Sequence, residues 1–151
     1  MTRPPAPAST YRVQLRGEMT LDAARGLVRY LAELGVSHVY LSPVLHARAG
    51  STHGYDVVDQ NAIDPALGGE AAFERFAPAA KSAGVGILLD VVPNHVAADL
   101  ENEAFADLLM HGPASRFADW FDVEWLVEPG RSHARLVLPA LGEPLEEAAR
   151  N

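Results

Sequence analysis

Val85-Gly86-Ile87-Leu88-Leu89-Asp90-Val91-Val92-Pro93-Asn94-His95 decides how the rest of the chain is read. Residues 85–92 are nearly all apolar, sit between Gly84 and Pro93, and are interrupted by one carboxylate, Asp90. A short apolar run bounded by turn residues predicts a parallel strand covered on both faces. Burying a carboxylate is costly unless it is paired, so Asp90 needs a partner. Asn94 and His95 fall just past the strand, where parallel α/β folds place their ligands. The plainer alternative is that Asp90 tethers a loop, Asn94 makes a turn and His95 is a surface residue.

Working back from this strand, a helical pattern runs from Glu70 to about Ala83, with Phe73, Phe76, Ala77 and Ala80 on one face. Pro78 falls inside it and removes a backbone donor, which predicts a kink or a late start. Before it, residues 44–69 read as a long loop rich in Gly, Ser, Thr, His, Asp and Pro, and loops beyond about 12–15 residues are usually functional or disordered. Residues 36–41 read as a strand ended by Ser42-Pro43. Leu21, Ala24, Leu27, Val28, Leu31 and Leu34 keep helical spacing, with Thr20 as cap, Asp22 in the first turn and Gly35 past the end. Tyr11-Arg12-Val13-Gln14-Leu15 alternates as a strand does. Residues 10–100 therefore read β-α-β-α-β, which predicts a parallel sheet with right-handed crossovers.

Residues 1–9, with three prolines and no apolar core, read as a disordered leader rather than a secretory signal, so the expected location is cytoplasmic. After about residue 100 the character changes. A short helical pattern spans 103–109 and stops at Gly112-Pro113. Residues 117–126 are aromatic-rich and expected to be extended, Glu128-Pro129-Gly130 is a turn, residues 135–139 form a candidate partner strand, and 146–151 begin a candidate helix. Residues 101–151 are thus expected to form a separate, smaller subdomain.

Composition narrows the function. The 151 residues are 48% hydrophobic and 21% charged, which excludes full disorder. The net charge of −8 argues against a nucleic-acid surface. No apolar run approaches the roughly 18 residues of a membrane-spanning helix. The chain has no cysteine, so disulfides and thiolate chemistry are impossible.

A second polar cluster, Gly50-Ser51-Thr52-His53-Gly54-Tyr55-Asp56-Val57-Val58-Asp59, lies on the expected ligand face. Tyr55 offers a flat apolar surface with a polar edge, which suits stacking on a sugar. His53, Asp56 and Asp59 could hydrogen-bond hydroxyls, or simply make a solvated turn. His53, Asp56 and His95 match no metal-ligand spacing, and no metal is expected. The aromatic run from Phe117 to Trp125 could line a groove, but reads better as a small core. Asp22, Glu33 and Glu146-Glu147 read as solvated helix positions.

The run from Asp90 to His95 resembles the first signature region of the family 13 glycoside hydrolases, the α-amylase clan, and His53-Gly54-Tyr55 fits the same clan. Further residues carry a finer resemblance: Ser9 to Leu15, Leu41-Ser42-Pro43, Gly50 to Asp59, Leu67-Gly68-Gly69, Trp120-Phe121-Asp122 and Leu138-Pro139-Ala140-Leu141-Gly142. Within the clan they are similar to the enzymes that turn the reducing-end α-1,4 bond of a maltooligosaccharide into an α,α-1,1 bond. The resemblance implies the first three units of a (β/α)₈ barrel, with a subdomain inserted after the third strand. A whole barrel needs about 250 residues, so a much longer protein is expected.

The same resemblance implies a maltooligosaccharide substrate and no cofactor. Tyr55 would stack on the sugar beside the scissile bond, and His95 would hydrogen-bond it. His53 and Asp56 would shape that subsite. Asp90 would hold an arginine from a fourth strand, and Asn94 would fix the loop. In some clan members the position matching Asn94 ligates calcium, which is not assumed for this chain. Retaining chemistry needs two carboxyl groups about 5 Å apart. In this clan they come from strands four and five, so no nucleophile or acid is expected in this chain. Without its arginine, Asp90 would be a buried unpaired carboxylate, and the isolated chain is expected to be inactive and poorly stable. The rival expectations are another glucan hydrolase or transferase of the clan, and a non-catalytic glucan-binding remnant.

Overall fold

The computed structural model describes residues 6–125 and Leu136. The chain divides into two compact units, residues 1–103 and 104–151. In the first, β1 (Thr10–Val13), β2 (His38–Leu41) and β5 (Gly86–Leu89) form a parallel sheet in the order β1-β2-β5. Register pairs Arg12 with Tyr40 and Tyr40 with Leu88. Helix α1 (Leu21–Glu33) connects the first two strands, and α2 (Gly69–Ser82) leads into the third. The sheet is open and no barrel closes among the described residues.

The helices form where the pattern places them. Thr20 Oγ1 accepts the Ala23 amide at 3.3 Å, capping α1. Both helices stop by the same device. Val36 N–H reaches Leu31 O at 3.0 Å beyond Gly35, and Val85 N–H reaches Ala80 O at 2.9 Å beyond Gly84. Pro78 neither interrupts nor delays α2, which runs through it from Gly69 to Ser82. Pro78 and Glu74, whose carbonyl loses its donor, are both exposed, so water can satisfy that oxygen. Leu21, Val28 and Leu31 of α1 and Phe76 of α2 pack with Val13, Val39 and Leu41 into one buried core. Arg75 of α2 grips Asp22 of α1 through two bonds, 3.0 and 2.5 Å long.

The expected loop 44–69 is largely ordered. β3 (Leu45–Ala47) pairs antiparallel with β4 (Val57–Ile63), and a 3₁₀ turn follows at Pro65–Leu67. Polar residues hid β4, and the pairing is interrupted by two register shifts, so it carries no clean period of two. Strand β5 is also shorter than the expected 85–92. It lies at a sheet edge, and Leu89 and Val91 are exposed rather than covered. Ahead of β1, the Ala8 and Ser9 amides both donate to Ser37 Oγ, at 3.0 and 2.9 Å.

The second unit opens within α3 (Glu103–His111), whose first residue closes the first unit, and 3₁₀ turns follow at Gly112–Ala114 and Ala118–Trp120. The expected extended run from Phe117 is therefore a turn first. Phe117 packs edge-on against Trp120 at 4.8 Å between centroids, which closes the chain locally instead of extending it. Phe105 and Phe121 meet edge-to-face at 6.2 Å, while Trp120 stays exposed. The expected turn at 128–130, strand at 135–139 and helix at 146–151 fall outside the described residues apart from Leu136. No described helix is long and apolar enough to cross a membrane.

Candidate functional site

Alternation along β1 and β2 sends Val13, Val39 and Leu41 into the core beneath the helices and leaves Arg12 and Tyr40 on the opposite face. Asp90 follows β5 directly, its N–H bonded to Leu41 O at 3.1 Å. Its Oδ2 accepts three hydrogen bonds: from Tyr55 Oη at 2.7 Å, Tyr40 Oη at 3.0 Å and Arg12 Nη1 at 3.2 Å. Arg12 Nη2 also donates to Tyr55 Oη and to Gln14 Oε1, both at 3.2 Å. The guanidinium lies 4.7 Å from the Tyr40 ring centre, a cation–π contact.

Asp90 is therefore not the unpaired carboxylate expected from the sequence. Its partner is Arg12, from the first strand of the same sheet. Partial desolvation pushes the Asp90 carboxyl up, but the bonds from Tyr55, Arg12 and Tyr40 together outweigh it and hold Asp90 below the usual carboxylate range. The Arg12 guanidinium is held above its ordinary value, first by its bond to Tyr55 and then by Asp90.

The loop that carries Tyr55 is fastened at several points. Asp56 accepts from Arg48 Nε at 2.9 Å and from Ser51 Oγ. Desolvation again acts upward, yet the Ser51 and Arg48 bonds leave Asp56 below its ordinary value. His53 Nδ1 accepts the Tyr55 N–H at 3.1 Å, and the two rings stack with centroids 5.9 Å apart. Beneath the loop, Arg16 and Asp64 form an ion pair of 2.5 Å, with side chains 9% and 5% exposed. Asp64 also accepts the Ala47 amide at 3.2 Å and the Ala66 amide at 2.8 Å, closing the open end of the β3–β4 hairpin. Gly54 has φ +81, and a Cβ there would stand 2.1 Å from Arg16 Nη2, so a side chain would strain the backbone and push the Arg16 guanidinium aside.

His95 and Asn94 are placed differently. Both are exposed, and the bond from the His95 ring is to Asn94 Oδ1, at 3.2 Å. Asp59 accepts from the Asn61 amide at 2.8 Å, a local turn contact. The structure thus brings Tyr55 and Asp90 together, sets His53 against Tyr55, and commits Asp56 to the loop. Among the described residues, no group of three His, Asp or Glu side chains stands close enough to hold a metal.

Sequence reasoning missed Arg12, Gln14, Tyr40, Arg16 and Asp64. A signal was present for the first two, because they are the polar positions of an alternating strand whose apolar positions face the core. None existed for Arg16 and Asp64, which are 48 residues apart.

A parallel sheet bearing this cluster at its carboxyl ends agrees with what the chain resembles in sequence and structure. Residues 21–140 match the alpha-amylase catalytic-domain family, to which the chain belongs. Within that family its relatives are of several kinds, among them a malto-oligosyltrehalose trehalohydrolase of Rhizobium, 37% identical over 78% of this chain and 20% of that one, and several maltooligosyl trehalose synthases. The chain is 44% identical over 147 residues to the "Putative maltooligosyl trehalose synthase" of Mycobacterium tuberculosis, covering 93% of this chain and 19% of that one. It superposes on the maltooligosyltrehalose synthase of Arthrobacter ramosus with a TM-score of 0.76 at 45% identity, over 79% of this chain and 16% of that one. For a hypothetical maltooligosyl trehalose synthase of Sulfolobus tokodaii the values are 0.74 and 48%, over 78% and 16%. The chain spans about a fifth of the length of the curated relatives it matches.

Proposed function

We propose that this chain supplies the sugar-binding floor of an enzyme that converts the reducing-end α-1,4 bond of a maltooligosaccharide into an α,α-1,1 bond. Residues 10–100 are the first part of its barrel, and residues 101–151 begin a subdomain inserted after the third barrel strand. The observation that carries this reading is the Tyr55–Asp90 bond at the carboxyl ends of the sheet. It holds a ring that is 36% exposed, with His53 stacked beside it. Tyr55 is the platform for the glucosyl ring, His53 and Asp56 shape the loop around it, and His95 reaches the sugar from the next strand end, where Asn94 fixes the loop.

On this reading the chain alone binds but does not react. Retaining transfer needs a nucleophile and a protonated acid about 5 Å apart. Asp90 fills neither role, because it is ionised at neutral pH and its Oδ2 is occupied by three donors. The catalytic carboxylates come from strands beyond these 151 residues.

The test is to capture the native polypeptide from its source cell with an antibody to residues 44–69 and incubate it with maltopentaose. The expected result is a band several times larger than this chain, loss of reducing ends, and little free glucose. Gain of reducing ends would replace this reading with a glucan hydrolase. A band of this chain's own size, with binding but no turnover, would leave only a glucan-binding role.

A further inference from the structure

Four segments meet at one guanidinium. Arg12 of β1 lies on the ring of Tyr40 from β2, donates to Asp90 beyond β5, and donates to Tyr55 from the hairpin loop. Tyr55 Oη both accepts from Arg12 and donates to Asp90, so its single polar atom is fixed from two sides. A planar, delocalised fork can lie flat on one ring while its separate nitrogens donate to two partners, whereas an ammonium offers one donor centre and no flat face. Arg12 is 38% exposed and Asp90 15%, so the pair sits at the rim of the sheet and not in the core.

We propose that Arg12 is a positioning residue for the sugar platform: with Asp90 it locks the Tyr55 ring in place using only the first three strands of the sheet. The site is thereby assembled before any fourth strand contributes an arginine. This rests on the reading of Tyr55 as the platform. Locking the ring in advance removes an ordering cost that sugar binding would otherwise incur.

The groups that face Asp90 are Arg12, Tyr40 and Tyr55, and the test follows them directly. The 151-residue chain, labelled with ¹³C at aspartate carboxyl and tyrosine Cζ, is titrated by NMR without ligand, as wild type, R12Q and R12K. In wild type, the Asp90 midpoint is expected below the usual carboxylate range, with the Tyr55 Cζ signal changing in step. R12Q is expected to raise that midpoint and shift Tyr55 Cζ at neutral pH. R12K keeps the charge without the fork, and is expected to bring the midpoint back down while leaving Tyr55 shifted. Dispersed amide spectra show that each variant is folded, and should R12Q not fold, R12K decides through Tyr55. If neither variant moves Asp90 or Tyr55, the proposal is overturned. Maltopentaose is then added, and R12Q is expected to bind it on the order of tenfold more weakly than wild type. Absence of binding by wild type would count against Tyr55 as a sugar platform, while the ligand-free titration still decides what Arg12 does.

Discussion

Two loops of the first unit carry the residues read from the sequence as a sugar site, and they are built in opposite ways. The loop from Gly50 to Asp59 is fastened by Arg48, Ser51, a buried Arg16–Asp64 pair below it and the Tyr55–Asp90 bond above it. The loop with Asn94 and His95 is exposed, and its histidine bonds only to its neighbour among the contacts described. Motifs of equal weight in the sequence therefore differ in preorganisation. One presents a ring already in place, and the other presents a side chain that a ligand would still have to order.

The largest effect is expected from breaking the fastened loop at its base. D64A leaves the Arg16 charge buried without a partner and releases the Ala47 and Ala66 amides. It should cost about 3–5 kcal/mol in urea unfolding, enough to unfold a marginal chain. G54A comes next. It forces a side chain into left-handed backbone against Arg16, and about 1–3 kcal/mol is expected in the same assay.

Acid stability sharpens the contrast. Asp90 and Asp56 are both held low in the folded chain, so the unfolded state takes up protons first as pH falls. Their contribution is fully present above the unfolded carboxyl value of about 3.9 and is lost as pH drops through the folded values. Y55F removes one donor from Asp90 and should move the acid loss of the urea midpoint to higher pH. H95A should leave that profile where it was. The smallest effect on stability is expected from H95A itself, within about 0.5 kcal/mol, because the ring is exposed. A loss above about 1 kcal/mol would show that the second loop is fastened as firmly as the first. On the proposed function, H95A weakens maltopentaose binding in calorimetry while barely changing the melt.

Local rules were enough for much of this architecture. Periodicity and caps located both core helices, and the glycine stops at Gly35 and Gly84 were readable from sequence alone. They depend on neighbours within a turn or two. The same holds for placing Asp90 at a strand end and Tyr55 in a loop beyond the carboxyl ends of the strands. The motif residues resembled the α-amylase clan, and the family comparison bears this out.

Tertiary structure decided what those residues are bonded to. The β3–β4 hairpin escaped because its pairing is bulged and its second strand is polar. Pro78 sits in a continuous helix because its missing bond faces water, which no propensity scale records. Above all, the sequence shows only that Asp90 needs a partner, and within this chain that partner is Arg12, 78 residues upstream. A carboxylate's need for a partner is a local property that sequence reveals. Which cation meets that need depends on strand order and register, and these bring Arg12, Tyr40 and Asp90 together only once the sheet has formed.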